Sequence, residues 1–310
     1  MLAMSPLSTR PPAVVIINPN AGRFAAGRLR KDVIAHLRER FSVDAYSTTD
    51  RDTGITIAAE AAATGAELVI AFGGDGHVNE VANGLAGAAS ALAIVPGGTM
   101  NLFARALGVP LDPFQAVDQL LKNIATPATQ VPLGRMNERY FTFSAGCGFD
   151  AEAAERVERY VPAKRRFGEV WFYWSAFRVL AGSHRHRRPQ MTLSGDFGQM
   201  PVSMAIACNA GPYAYIGNRP VMIAPEVKLH GGIDVFALKT MRIEALPLYA
   251  WRVMVSKDLI HHRDVLYHQG LHSFELSSET PFARHVDGEP LPPARIARFE
   301  LASGILNVKT

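Results

Sequence analysis

Leu68-Val-Ile-Ala-Phe-Gly-Gly-Asp-Gly-His77 decides how this chain is read. A short apolar run ends in Gly73-Gly74-Asp75-Gly76, and Val78-Asn79-Glu80-Val81 follows with helical character. The run has the length of a buried strand and is closed by a turn signal. Three glycines in the turn let the backbone take positive φ and approach a ligand closely. Backbone N–H groups in such a turn, next to a helix N-terminus, form an anion site. The carboxylate of Asp75 would repel a bare phosphate, so it makes sense with a divalent cation or a hydroxyl proton nearby. The combination points to nucleotide phosphates with a metal, against the plainer alternative of a tight turn with a capping Asp.

Two further stretches repeat the pattern. Ala91-Leu-Ala-Ile-Val95 runs into Pro96-Gly97-Gly98-Thr99-Met100-Asn101 and then a helix-compatible segment to Leu107. Ala13-Val-Val-Ile-Ile17 runs into Asn18-Pro19-Asn20-Ala21-Gly22. Strand–polar turn–helix units in succession predict one parallel sheet whose loops converge at its carboxyl edge, where such sheets bind ligands.

These blocks, in this order, resemble the diacylglycerol-kinase-like catalytic domain family, which includes bacterial lipid kinases and the eukaryotic diacylglycerol, sphingosine and ceramide kinases. A fourth block, His285-Val286-Asp287-Gly288-Glu289, is similar to that family's C-terminal Asp-Gly-Glu motif. The resemblance runs from about Ala13 to the end of the chain. It implies an ATP-dependent, Mg²⁺-dependent kinase acting on a lipid hydroxyl at a membrane surface. Gly-Gly-Asp-Gly alone is shared with NAD kinases and phosphofructokinases. An NAD kinase, or a nucleotide- or lipid-binding regulator without catalysis, therefore stays as the alternative.

The composition agrees with a globular chain. Its 310 residues are 48% hydrophobic and 19% charged, enough for one large or two ordinary domains. No apolar run reaches the roughly 18 residues of a membrane span. The first ten residues lack the pattern of a signal peptide. Cys147 and Cys208 lie in apolar, strand-like surroundings and read as buried thiols, which suits a cytoplasmic protein. A net charge of +4 does not suggest nucleic-acid binding. One segment is locally basic: Lys164, Arg165, Arg166, Arg178, Arg185, Arg187 and Arg188 flank the aromatic run 170–177. It reads either as a membrane-surface element or as a helix packing its aromatics inward. A homodimer is left open.

Alternation of strand and helix assigns 11–128 to an open α/β nucleotide-binding domain. The helical face Leu29, Val33, Ile34, Leu37 and Phe41 follows its first turn. Beyond residue 128 the pattern turns to hairpins and short strands, so 129–295 is expected to be a β-rich, sandwich- or barrel-like domain for the lipid. Helices are expected there at Ala151–Arg159, Gly168–Leu180 and Arg242–Val255, and strands at Met191–Ser194, Val202–Asn209, Ile233–Lys239, Val265–Tyr267 and Ser273–Leu276. The resemblance implies that about 296–310 return to the first domain.

The candidate nucleotide-binding residues are Asn18, Pro19, Asn20, Ala21, Gly22, Gly73, Gly74, Asp75, Gly76, His77, Asn79, Glu80, Gly97, Gly98, Thr99 and Asn101. Thr99 and Asn101 serve equally well as helix caps. The resemblance adds Thr48 or Thr49 against the nucleotide. Asp75 is the candidate metal ligand and a candidate catalytic residue. Asp287 and Glu289 share the remaining catalytic role: one takes the acceptor's proton, with Asp287 favoured and Glu289 supporting it. Glu80 serves either as a ligand or to position a neighbour. His77 stands where the family usually has Thr, and its imidazole could still donate to phosphate. Lys228-Leu229-His230-Gly231-Gly232-Ile233-Asp234 lacks the Asp-Asp-Gly with which related enzymes hold a structural Mg²⁺, so that site is not expected. The histidines at 184, 186, 261, 262, 268 and 272 match no zinc spacing.

Overall fold

The computed structural model describes residues 10–21, 27–159, 190–217, 219–240, 243–256 and 258–310. The chain forms two compact units. The first takes the chain up to Gln130 together with Leu306–Thr310, and the second is Val131–Ile305.

The first unit is built on β1 (Pro12–Ile17), β2 (Ser42–Ser47), β3 (Leu68–Gly73) and β4 (Ala91–Pro96). Every residue of β3 and β4 is buried. Continuous apolar runs of this kind belong to parallel strands covered on both faces. The pairs β1–β2, β1–β3 and β3–β4 are all parallel, giving the order β2-β1-β3-β4. Asn307 and Val308 add alongside Ala91 and Leu92, again in parallel. From β1 the chain first moves outward to β2 and then crosses to β3 on the other side of β1. The loops after β1 and β3 therefore diverge, which opens a crevice at the carboxyl edge.

Helices cover this sheet. α1 (Arg28–Arg40) buries Val33 and Leu37, with Phe41 at its end, whereas Leu29 is 39% exposed and does not belong to the inward face. α2 (Thr53–Ala63) is Ala-rich and lies against α3 (Asp75–Leu85). α4 (Leu102–Ala106) is a short turn of helix. α5 (Pro113–Lys122) begins at Asp112, whose carboxylate accepts from the N–H groups of Phe114 and Gln115 at 3.1 and 3.0 Å. That N-cap with Pro at the first position explains its sharp start.

The second unit is strand-rich. Its strands are β5 (Thr129–Met136), β6 (Arg139–Phe141), β7 (Ser144–Gly148), β8 (Met191–Gly195), β9 (Gly198–Val202), β10 (Met204–Cys208), β11 (Ala214–Ile216), β12 (Arg219–Val221), β13 (Ile233–Leu238), β14 (Val265–Leu271), β15 (Ser273–Val286) and β16 (Glu289–Val308). Antiparallel pairing gives the order β14-β13-β10-β7-β15-β16. Stacked Phe274 and Phe299, with Phe141 edge-on to Phe299, anchor the core. Cys147 and Cys208 are free and buried in β7 and β10, and burial pushes both thiols up.

Several elements differ from expectation. The strand expected over Ser273–Leu276 continues to Val286, and β16 runs for 20 residues. The run Val202–Asn209 breaks at Ser203 into β9 and β10. The segment expected as one helix to Val255 is a 3₁₀ turn (Ile243–Ala245), α7 (Leu246–Trp251) and a π-helical turn (Arg252–Ser256). α6 (Phe149–Arg159) starts two residues earlier than the pattern suggested. The helix expected over Gly168–Leu180, and the basic residues around it, lie outside the described residues. Among the described residues no helix is long and apolar enough to cross a membrane.

Candidate active site

Three loops meet at the crevice of the first unit. After β1, the Asn18 N–H donates to the Phe72 carbonyl at 3.0 Å, tying this loop to the end of β3. The Asn18 Oδ1 accepts from Asn20 N–H at 2.9 Å, an Asx turn that fixes the loop. Pro19 is half-buried, Asn20 exposed and Ala21 buried, while Gly22 is outside the described residues. After β3 the chain turns at Gly74 and α3 begins at Asp75. The first-turn N–H groups of Asp75, Gly76 and His77 have no carbonyl behind them within the helix and form its positive end.

The third loop lies directly on the second. Gly97 N–H donates to the Gly73 carbonyl at 2.7 Å. A Cβ on Gly97 would stand 3.1 Å from the Gly73 Cα, and one on Gly98 2.7 Å from the Gly74 Cα. The two turns are therefore layered backbone on backbone, and this close approach is what requires the glycines. Asn101, in the left-handed region with φ 49°, accepts from Gly98 N–H at 2.8 Å and donates to the Gly98 carbonyl at 2.9 Å. Its amide is used to hold the loop, and it makes no side-chain cap for α4. Thr99 is exposed and is not a cap either. Asp75, half-buried, accepts a long 3.4 Å bond from Phe103 N–H in the first turn of α4. Its charge thus sits between two helix N-termini, which favour an anion.

Four candidates turn inward. His77 is 4% exposed, and its Nε2 lies 2.9 Å from the Ile16 carbonyl. A carbonyl only accepts, so Nε2 carries the proton and donates. Burial pushes the imidazole pKa down from its ordinary value. The expectation that the imidazole donates to phosphate is corrected: the ring braces β1 from below, and only the His77 N–H belongs to the loop. Glu80, also buried, accepts from Asp52 N–H at 2.9 Å and Gly54 N–H at 3.0 Å, and so caps α2. It positions a neighbour and does not face the crevice. Asn79 is 1% exposed and accepts from the Asn83 amide at 3.1 Å. Thr48 is buried and bonds the Ile17 carbonyl through its N–H, whereas Thr49 is exposed. Sequence reasoning missed Arg105, whose Nε donates to the Met100 carbonyl at 2.9 Å and ties α4 to the third loop. A basic residue in the turn of helix after a Gly-rich loop was the available signal.

In the second unit, Asp287 and Gly288 form the two-residue turn joining β15 to β16, with φ of 48° and 80°. Two positive φ values are the type I′ signature, which Asp-Gly favours. The Asp287 carboxylate is 5% exposed and accepts four bonds. One oxygen takes Thr142 N–H and Thr142 Oγ1–H at 2.7 Å each, and the other takes Phe143 and Ser144 N–H at 3.0 Å each. Burial pushes its pKa up, and the four donors offset only part of that rise. With every acceptor position filled by a donor, the carboxylate fits as an anchor. That geometry fits Asp287 as the anchor of the turn and favours Glu289 as the residue that takes the acceptor's proton. Glu289, the first residue of β16, is half-buried. Asp234 accepts from the Tyr267 hydroxyl at 2.5 Å and Gly270 N–H at 3.0 Å. Among the described residues no group of three His, Cys, Asp or Glu side chains is placed to hold a metal ion.

The diacylglycerol kinase catalytic domain family matches residues 12–136. A diacylglycerol kinase of Bacillus subtilis is 34% identical over 236 residues, 73% of each chain. A diacylglycerol kinase of Staphylococcus saprophyticus is 34% identical over 173 residues, so the chain spans about half of that relative's length, 54%. The crystal structure of a diacylglycerol kinase from Bacillus anthracis shares the fold, with a TM-score of 0.71 at 24% identity over 96% of each chain. Both have an α/β unit joined to a strand-rich one. The chain belongs to the diacylglycerol kinase family.

Proposed function

We propose that this chain is an ATP- and Mg²⁺-dependent lipid kinase that phosphorylates the hydroxyl of a diacylglycerol-like lipid at a membrane surface. The layered turns Gly73-Gly74 and Gly97-Gly98 carry the reading, because a Cβ at Gly98 would meet the Gly74 Cα at 2.7 Å. A nucleotide fits this cradle: its phosphates are suited to the N–H groups of Gly74, Asp75, Gly76 and His77, with Asn20 and Thr99 exposed at the rim. A Mg²⁺ carried on the phosphates needs few protein oxygens, and Asp75 supplies a carboxylate of the right hardness. When bound, ATP supplies the phosphoryl group and Mg²⁺ neutralises the charge that builds on it.

The protein's own part is positioning and proton handling. Asn101 and Asn18 hold the first and third loops in shape through the bonds described above. Asp75 holds its charge at the helix starts. Glu289 takes the proton from the lipid hydroxyl oxygen as that oxygen attacks, since the Asp287 oxygens are already filled by four donors.

The test is transfer of labelled phosphate from ATP to diacylglycerol in mixed micelles, with and without Mg²⁺. Lipid labelling that requires Mg²⁺ is expected, together with a loss of at least ~10²-fold in a folded Asp75→Asn variant. Labelling of NAD in place of lipid, or near-normal turnover by Asp75→Asn, overturns the reading.

A further inference from the structure

A second set of bonds grips the Asp287-Gly288 turn. Gly288 N–H donates to His285 Nδ1 at 3.2 Å. An amide N–H only donates, so Nδ1 presents a lone pair and the ring proton is on Nε2. Nε2–H in turn donates to Asp150 Oδ2 at 2.5 Å, and Asp150 Oδ1 accepts the Tyr213 hydroxyl at 2.5 Å. His285 is 2% exposed and Asp150, in the first turn of α6, is 8% exposed. Gly146 on β7 lies opposite His285 in the strand register. A Cβ at Gly146 would collide with both Asp150 Oδ2 and His285 Nε2, so the strand leaves room for this pair only because it has glycine there.

The arrangement has a direction. Tyr213 and Asp150 hold the imidazole in one tautomer, and that tautomer is the one that can accept from Gly288. Gly288 is the residue between the anchored Asp287 and Glu289. We propose that His285 is a positioning residue: through Nδ1 it fixes the Gly288 peptide and thereby aims the Glu289 carboxylate. The inference rests on the kinase reading, in which Glu289 is the base.

Two substitutions separate the halves of the ring. His285→Asn keeps an acceptor where Nδ1 stands and loses the Nε2 donor. His285→Gln keeps a donor toward Asp150 and loses the acceptor for Gly288. Expected is a kcat lower by ~10²-fold in His285→Gln, with KM for ATP and lipid within about 3-fold, and a His285→Asn variant within about 10-fold of the parent. Equal losses in both variants would mean a merely structural role and overturn the inference. A measurement on the parent chain needs no activity: ¹⁵N NMR of the His285 ring and hydrogen exchange of the Gly288 amide. The Nε2–H tautomer and slow exchange are expected, with exchange faster in His285→Gln. An Nδ1–H tautomer or fast exchange in the parent overturns the inference even if the chain is an active kinase. A parent chain that phosphorylates no lipid overturns the kinase reading, and the hold of His285 on Gly288 is then decided by the tautomer and the exchange.

Discussion

Replacing Asp287 by Asn should destabilise the second unit, an outcome opposite to that expected of a general base. The amide can keep its oxygen toward Phe143 and Ser144 N–H, both at 3.0 Å. Its NH₂ then faces Thr142, where the hydroxyl can rotate to accept but the N–H, formerly bonded at 2.7 Å, cannot. That buried N–H is left without an acceptor, at a cost of about 1–3 kcal/mol. The remaining bonds pass from charged to neutral acceptor and weaken by roughly 1 kcal/mol each. Burial outweighs the donors on this carboxyl, so the smaller desolvation cost of a neutral amide offsets that weakening, leaving about 1–3 kcal/mol from the orphaned N–H. Urea unfolding followed by circular dichroism reads this as a lower midpoint. Glu289→Gln, by contrast, should stay within about 1 kcal/mol of the parent while transfer falls ~10²–10⁴-fold. An Asp287→Asn variant with the parent's stability and no transfer would refute the anchor argument and return the base to Asp287.

Gly98→Ala places a Cβ 2.7 Å from the Gly74 Cα and 2.9 Å from the pinned Asn101 Oδ1, neither of which can move away. Calorimetry should show ATP affinity reduced by at least ~10-fold, and unchanged affinity would mean the turns are not layered in solution. Glu80→Ala removes the acceptor for both Asp52 and Gly54 N–H and should cost about 2–3 kcal/mol in an unfolding titration, with Glu80→Gln losing roughly half as much. His77 has its folded-state pKa lowered by burial, so the unfolded chain binds the proton more readily. Its contribution is therefore complete above about pH 6.5 and is lost as pH falls below that value. Between pH 7.5 and 5.5 the parent's thermal midpoint should drop more than that of His77→Thr, and parallel curves would show that another group is responsible.

Local chemistry made the first unit legible. The runs Ala13–Ile17, Leu68–Phe72 and Ala91–Val95 are apolar throughout and each ends in a turn built from Gly, Pro or Asn, so strand, turn and helix follow from neighbours in the chain. The same adjacency placed Asp75 and the layered Gly73, Gly74, Gly97 and Gly98 at the sheet's carboxyl edge. The second unit hid its longest strands. Pro281 falls within β15, and Pro290, Pro292 and Pro293 within β16, where sequence preference argues against strand. Pairing with distant partners overrides that preference. Only the tertiary structure decided which way polar side chains face. His77 and Glu80 sit in the motif as plausibly as Asp75, yet their partners are the Ile16 carbonyl and the start of α2. Asp287 looked like a base because its turn is written in two adjacent residues, while its four donors come from Thr142, Phe143 and Ser144, more than a hundred residues earlier. Turn geometry is a property of two or three neighbouring φ/ψ pairs and can be read from their side chains. Whether a carboxylate in that turn is spent on structure or left for chemistry depends on donors delivered by another strand, which pairing alone brings into reach.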